Sequence, residues 1–198
     1  KNFKTCHEIL DLGIAQNIIQ GLQQYQVSNI IAEVKDYVFI NNHDPRLFEG
    51  FSMGNPRIQT GNLLVHLKES PTSILIEAEE SKIPEIKNML THFYADHIEH
   101  RRWGAPFPVI EIVKLGINKA RGIEQVRQFL NIDRNNIIAF GDEDNDIEMI
   151  EYARHGVAME NGLQELKDVA NNITFNNNED GIGRYLNDFF NLNIRYYC

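Results

Sequence analysis

The stretch Ile137-Ile138-Ala139-Phe140-Gly141-Asp142-Glu143-Asp144-Asn145-Asp146-Ile147-Glu148-Met149-Ile150 decides how this chain is read. Its first part is apolar and strand-like and ends at Gly141. Five polar residues follow, three of them aspartates, before helical spacing resumes at Ile147, Ile150 and Ala153. In a parallel α/β sheet this order puts carboxylate oxygens at the carboxyl end of a strand, where such sheets bind ligands. Clustered carboxylate oxygens suit a hard cation such as Mg²⁺, which keeps several waters and completes its shell with phosphate oxygens. The stretch therefore reads as a Mg²⁺-assisted phosphate site.

A plainer reading stays open. Asp and Asn are good helix N-caps and favour the positive end of the helix dipole, so the same residues suit a solvated acidic turn. A calcium EF-hand loop is excluded, although Asp142, Asp144 and Asp146 alternate as it requires. Its sixth position would be Ile147 instead of glycine, and its twelfth Ala153 instead of a bidentate Glu.

Composition narrows the function classes. At 198 residues, 42% of them hydrophobic, the chain can build one large core or two small ones. The net charge of −9 argues against nucleic acid as a partner, since phosphate backbones need a basic surface. No apolar run is long enough to cross a bilayer, so no membrane role is expected. The basic amino end, Lys1 to His7, is not followed by the apolar segment of a secretory signal. Cys6 and Cys198 lie at opposite ends and imply no disulfide framework, so a cytoplasmic location is expected. The sequon Asn172-Ile173-Thr174 then carries no meaning. Nothing in the pattern specifies an oligomeric state.

Two grammars divide the chain, 1–110 and 111–198. In the second, Asn118 can cap a helix with apolar positions Ile123, Val126, Phe129 and Leu130. A strand at 135–140, the acidic loop and a helix from about Asp144 follow. Next come a strand at 156–159, a helix marked by Leu163, Leu166, Val169 and Ala170, a strand at 173–175, and a helix marked by Ile182, Tyr185, Leu186, Phe189 and Phe190. Alternation of this kind implies βαβ units and a parallel sheet, here with only about three strands. In the first part, helices are expected at 14–25 and 83–93. Strands are expected at 29–34, 37–40, 62–67, 73–77 and 107–113, with a loop region over 41–61. Two helices over mostly antiparallel strands make an α+β layer. Asn176-Asn177-Asn178 is the sole low-complexity tract.

The second half resembles the haloacid dehalogenase (HAD) superfamily, Cof-type sugar-phosphatase branch. The resemblance rests on Gly116-Ile117-Asn118-Lys119-Ala120-Arg121-Gly122, the stretch 138–149, Gly156-Val157-Ala158-Met159-x-Asn161, Leu166-Lys167-x-x-Ala170 and Glu179-Asp180-Gly181-Ile182. It implies an α/β fold: a partial Rossmannoid parallel-sheet core preceded by an α+β type-2 cap domain. It also implies a Mg²⁺-dependent phosphatase acting on small phosphorylated metabolites, such as sugar phosphates, through an aspartyl-phosphate. Carried over, Asp142 would be the magnesium ligand, and Asn145 would touch the substrate phosphate or order the metal shell. Asp146 would hold a metal-bound water or the lysine, and Lys119 would neutralise the phosphoryl group and the nucleophile. Chemistry agrees, because phosphoryl transfer is stabilised by a metal and a fixed ammonium, and the start of a helix attracts anions.

Other candidates are weaker. His92, His97 and His100 cluster near the end of the second helix of the α+β layer, where a solvated basic helix end competes with metal ligation. Arg101-Arg102-Trp103-Gly104 and Gly54-Asn55-Pro56-Arg57 are alternative substrate contacts or ordinary surface.

The family attacks phosphorus with an aspartate in Asp-x-Asp-x-Thr, and no such segment occurs among these residues; Asp11-Leu12-Gly13 lacks the second aspartate. Its Ser/Thr phosphate-binding motif also has no counterpart. The start at Lys1 is expected to reflect a truncated or processed product that begins near the cap. Two alternatives remain: a non-catalytic module of the same fold that binds a phospho-ligand or partner, and a phosphomutase of the superfamily. With no nucleophile, the 198-residue chain alone is expected to release no phosphate from sugar phosphates in the presence of Mg²⁺. Metal-dependent phosphate release by the pure chain, measured colorimetrically, contradicts that expectation.

Overall fold

The computed structural model describes residues 7–45, 56–103 and 108–194. Cys6, Cys198, Gly54, Asn55 and Gly104 lie outside the described residues. The chain forms two compact units, residues 1–117 and 118–198.

The first unit is a six-stranded sheet. Its strands are β1 (Asn29–Val34), β2 (Tyr37–Ile40), β3 (Arg57–Thr60), β4 (Ser73–Glu77), β5 (Ile98–Arg102) and β6 (Val109–Lys114), in the order β3-β2-β1-β4-β6-β5. Every pairing is antiparallel except β2 with β3. Side chains alternate across a strand. Ile30, Ala32 and Val34, Ile74 and Ile76, and Ile110 and Ile112 enter one core; Ile31, Leu75 and Val109 enter a smaller cluster with Val38 and Ile40. The larger core is closed by helix α1 (Leu12–Leu22), which buries Ala15, Ile18, Ile19 and Leu22, together with a later helix at 83–94. Asp11 caps α1, its Oδ1 accepting from the Ile14 amide at 3.0 Å.

Three segments depart from the sequence expectations. Residues 62–67 form a short helix, α2 (Leu63–His66), instead of a strand. The Asn62 side chain accepts from the Leu64 amide at 2.9 Å, a local bond that diverts the backbone from a ladder. A strand, β3, lies inside the expected loop region at 41–61. Helix α3 (Ile83–Tyr94) stops at Tyr94, and the chain turns into β5. His92 therefore lies on the helix and His100 on a strand, so the histidines share no helix face. His100 Nε2 shares a hydrogen bond with Thr91 Oγ1 at 2.9 Å, and burial, then the Lys87 charge, hold its imidazole below its ordinary pKa. Arg102 pairs with Glu80 at 2.8 Å. The division between units falls after β6, so the expected boundary at 110/111 cuts through a strand.

The second unit is a parallel sheet of β7 (Ile138–Gly141), β8 (His155–Met159) and β9 (Asn172–Thr174), in that order. Its helices are α4 (Lys119–Leu130), α5 (Ile147–Tyr152), α6 (Gln164–Val169) and α7 (Gly181–Phe190). Asn118 caps α4, accepting from the Arg121 amide at 2.9 Å, and Asn131 ends it in the left-handed region at φ 53°. The core is small: Ala139, Ile150, Ala153, Ala158 and Leu166. The expected apolar face of α4 is present but uncovered, with Val126, Phe129 and Leu130 each more than half exposed at 56–57%.

Gly156 sits where a Cβ would run into the carbonyl oxygen of Ile150, a backbone atom that cannot step aside. Gly156→Ala is expected to lower unfolding stability by about 1–3 kcal/mol, in the range of other overpacked sites. An unchanged midpoint in urea denaturation would count against this packing.

Candidate functional site

The site forms where β7 ends. Gly141 closes the strand, and Asp144–Asp146 make a 3₁₀ turn that leads into α5. The turn is locked by a reciprocal cap. The Glu143 side chain accepts from the Asp146 amide, and Asp146 Oδ2 accepts from the amides of Asp142 (3.1 Å) and Glu143 (3.3 Å). Gly141 is required by close approach, since a Cβ there would lie 2.5 Å from Asp146 Cβ.

These bonds point the other Asp146 oxygen, Oδ1, at Lys119, the first residue of α4, whose ammonium donates to it. Lys119 Nζ also donates to Asn145 Oδ1 at 3.0 Å. Asp146 is only 4% exposed, whereas the Lys119 side chain is 48% exposed. An ammonium has three donors and two are used here, so one remains for an anion from solvent. Lys119 and the adjacent pair Asn145 and Asp146, 26 and 27 residues further on, thus form one cluster.

Asp142 points elsewhere. Its Oδ2 accepts from the Asn177 side-chain amide at 2.9 Å, and its carbonyl accepts from the Leu163 amide at 2.9 Å. Among the described residues no group of three or more His, Cys, Asp or Glu side chains is disposed to hold a metal ion. Asp142 nevertheless fits one part of such a shell. Mg²⁺ is commonly bound through one or two carboxylates, with waters and substrate phosphate supplying the rest. Glu143 and Asp144 are exposed.

Sequence reasoning passed over two groups. Asn177 is hidden in a run of three asparagines, and only its place after β9, on the same sheet end as Asp142, could have flagged it. The second is a bridge between the helices that carry the cluster. Glu124 on α4 accepts from Arg127 at 2.6 and 2.8 Å, from Gln128 at 2.5 Å, and from the hydroxyl of Tyr152 on α5. Arg134 lies over the Tyr152 ring, 4.6 Å from its centroid, and donates to the Tyr152 carbonyl at 2.5 Å.

The family model described as haloacid dehalogenase-like hydrolase matches residues 1–186, and the chain belongs to that family. It is 43% identical over 186 residues to the 5-amino-6-(5-phospho-D-ribitylamino)uracil phosphatase YitU of Bacillus subtilis, covering 94% of this chain and 69% of that protein. It is 30% identical over 105 residues to YwtE of the same organism, which carries the same phosphatase name; the match covers 53% of this chain and 35% of that one. In fold alone, the chain is similar to a haloacid dehalogenase-like hydrolase from Bacteroides thetaiotaomicron, with a TM-score of 0.78 at 24% identity over 92% of this chain and 68% of that one. No helix among the described residues is long and apolar enough to cross a membrane.

The Arg127 hydrogen bonds first, then that of Tyr152, hold the Glu124 carboxyl well below its ordinary value of 4.5, at about 2. Because the folded value is depressed, the stability this bridge contributes is complete above about pH 4.5 and is lost as pH falls toward 2. A carbon-13 carboxyl titration is expected to find the Glu124 midpoint near 2. A midpoint near 4.5 would mean that the bridge is not formed.

Proposed function

We propose that these residues supply the cation-and-phosphate side of a Mg²⁺-dependent phosphatase site for small phosphorylated metabolites. The observation that carries the reading is Lys119, held by Asp146 and Asn145 with one ammonium donor to spare, against the turn that opens with Asp142 at the end of a parallel strand. Helix α4 and the turn after β7 fix this ammonium before any ligand arrives, so no reorganisation is needed as charge grows on the phosphoryl oxygens.

Each residue has a distinct task. Lys119 donates its remaining N–H to a phosphoryl oxygen and offsets its charge. Asp146 orients Lys119 through Oδ1, while its Oδ2 holds the turn that carries Asn145. Asn145 gives its carbonyl oxygen to Lys119, which leaves its amide N–H₂ for a phosphate oxygen. Asp142 would hold Mg²⁺, which when bound neutralises and orients phosphoryl oxygens. The attacking carboxylate of an aspartyl-phosphate route is not supplied by an Asp-x-Asp-x-Thr segment in these 198 residues. The names of YitU and YwtE point to a phosphorylated ribityl compound as the first substrate to try. A reducing cytoplasm fits the sparse cysteines.

In an intact protein that includes the aspartate nucleophile, Lys119→Ala is expected to lower kcat on such a phosphate ester by about 10²–10³. Asp142→Asn is expected to abolish the dependence of turnover on Mg²⁺ concentration. Steady-state phosphate release tests both, and wild-type behaviour in either variant would refute the assignment of that residue.

A further inference from the structure

Three loops leave the carboxyl ends of β7, β8 and β9, and they are tied into a closed ring. The loop after β8 binds the loop after β7 through the Leu163 amide, which donates to the Asp142 carbonyl at 2.9 Å. The loop after β9 binds the loop after β8 through the Asn177 amide, which donates to Asn161 Oδ1 at 3.1 Å. The ring closes when Asn177 Nδ2 donates to Asp142 Oδ2 at 2.9 Å. This last bond passes over the central strand, since β9 and β7 are not neighbours. Adjacent strands are about 4.8 Å apart, so the β9 loop reaches across about 10 Å of sheet to meet one carboxylate.

The residue type suits the task. Only a donor can meet a carboxylate without repulsion, and a neutral amide donates without adding a cation that would repel Mg²⁺. The backbone of Asn177 is fixed by Asn161, so its short side chain has little freedom. The loops after β9 and β8 are each shaped locally. Asn176 caps the turn by accepting from the Asn178 amide at 2.9 Å, and a Cβ on Gly162 would come within 3.0 Å of Asp142 Cα.

We propose that Asn177 is a positioning residue for Asp142. Its amide takes Oδ2 and fixes the carboxylate rotamer, keeping Oδ1 for a cation, and Asn161 holds Asn177 in place. This rests on the reading of Asp142 as the Mg²⁺ ligand. Partners that orient a metal-binding side chain commonly change metal affinity by about 10–100-fold when removed.

The test is a Mg²⁺ titration of the nitrogen-15-labelled 198-residue chain, followed through the amide resonances of Gly141 and Asp142. The wild-type chain is expected to show a saturable response. Asn177→Ala is expected to weaken it at least tenfold, and Asn161→Ala to weaken it less, with strand resonances otherwise unmoved. A purely structural Asn177 would lower the unfolding midpoint in EDTA and leave Mg²⁺ affinity at the wild-type value, and that result overturns the proposal alone. A wild-type chain without a saturable response that Asp142→Asn removes would overturn both this proposal and the reading of Asp142 beneath it.

Discussion

The second unit is organised around a carboxylate that water barely reaches. Asp146 is 4% exposed, and a buried anion costs several kcal/mol unless its oxygens are matched. Here one oxygen takes two backbone N–H groups and the other takes an ammonium. No single element provides all three donors. The N–H groups exist only when the chain turns directly after Gly141, and the ammonium arrives only when α4 starts at Lys119 with Asn118 as its cap. Strand end, turn and distant helix must therefore form together. Half-exposure of Lys119 moderates the desolvation cost and leaves the ammonium open on its solvent side.

The Glu124–Tyr152 bridge supports the same geometry from the other end of the helices. Lys119 opens α4, and Glu124 lies further along it; α5 starts right after Asp146 and ends at Tyr152. The two helices are thus joined at two places, by an ion pair at the sheet end and by a hydroxyl–carboxylate bond further on. Between them apolar packing is thin. Val126, Phe129 and Leu130 of α4 are mostly in solvent, as is Phe190 of α7. A three-stranded sheet offers too little area to cover all four helices, whereas six strands bury both main helices of the first unit. With so little hydrophobic area to fix α4, polar links bear a larger share of its placement.

Features set by periodicity and by compact motifs were legible in the sequence. The strand–turn–helix around Asp142, the cap at Asn118 and the alternation in β1, β4 and β6 follow from side-chain chemistry within a few residues. Features set by competition between local and distant bonds were not. Residues 62–67 carry strand-like composition, yet the Asn62 side chain turns the backbone into α2. Strand β3 has almost no buried side chain and reads as loop, because it is held chiefly by ladder bonds to β2. His97 and His100 resemble a continued helix until β5, which starts at Ile98, pairs His100 with Ile112 of β6. Asn177 is illegible for the same reason: its significance lies in a partner 35 residues away.

The acidic turn also separates two carboxylates that composition alone treats alike. Asp142 and Asp146 belong to one short motif and leave one strand end, yet the folded chain gives them opposite surroundings. Asp146 is enclosed, with Oδ1 taking the Lys119 ammonium and Oδ2 two backbone N–H groups. Asp142 is half-buried at the rim, and the amide of Asn177 meets only one of its oxygens. Hard cations favour an oxygen that keeps access to water, because Mg²⁺ gives up its own waters reluctantly. An ammonium, by contrast, is held most firmly where its carboxylate is dry and fixed. On the proposed reading, in which Asp142 takes the cation, Lys119 keeps its bond to Asp146 and Asn177 keeps its bond to Asp142.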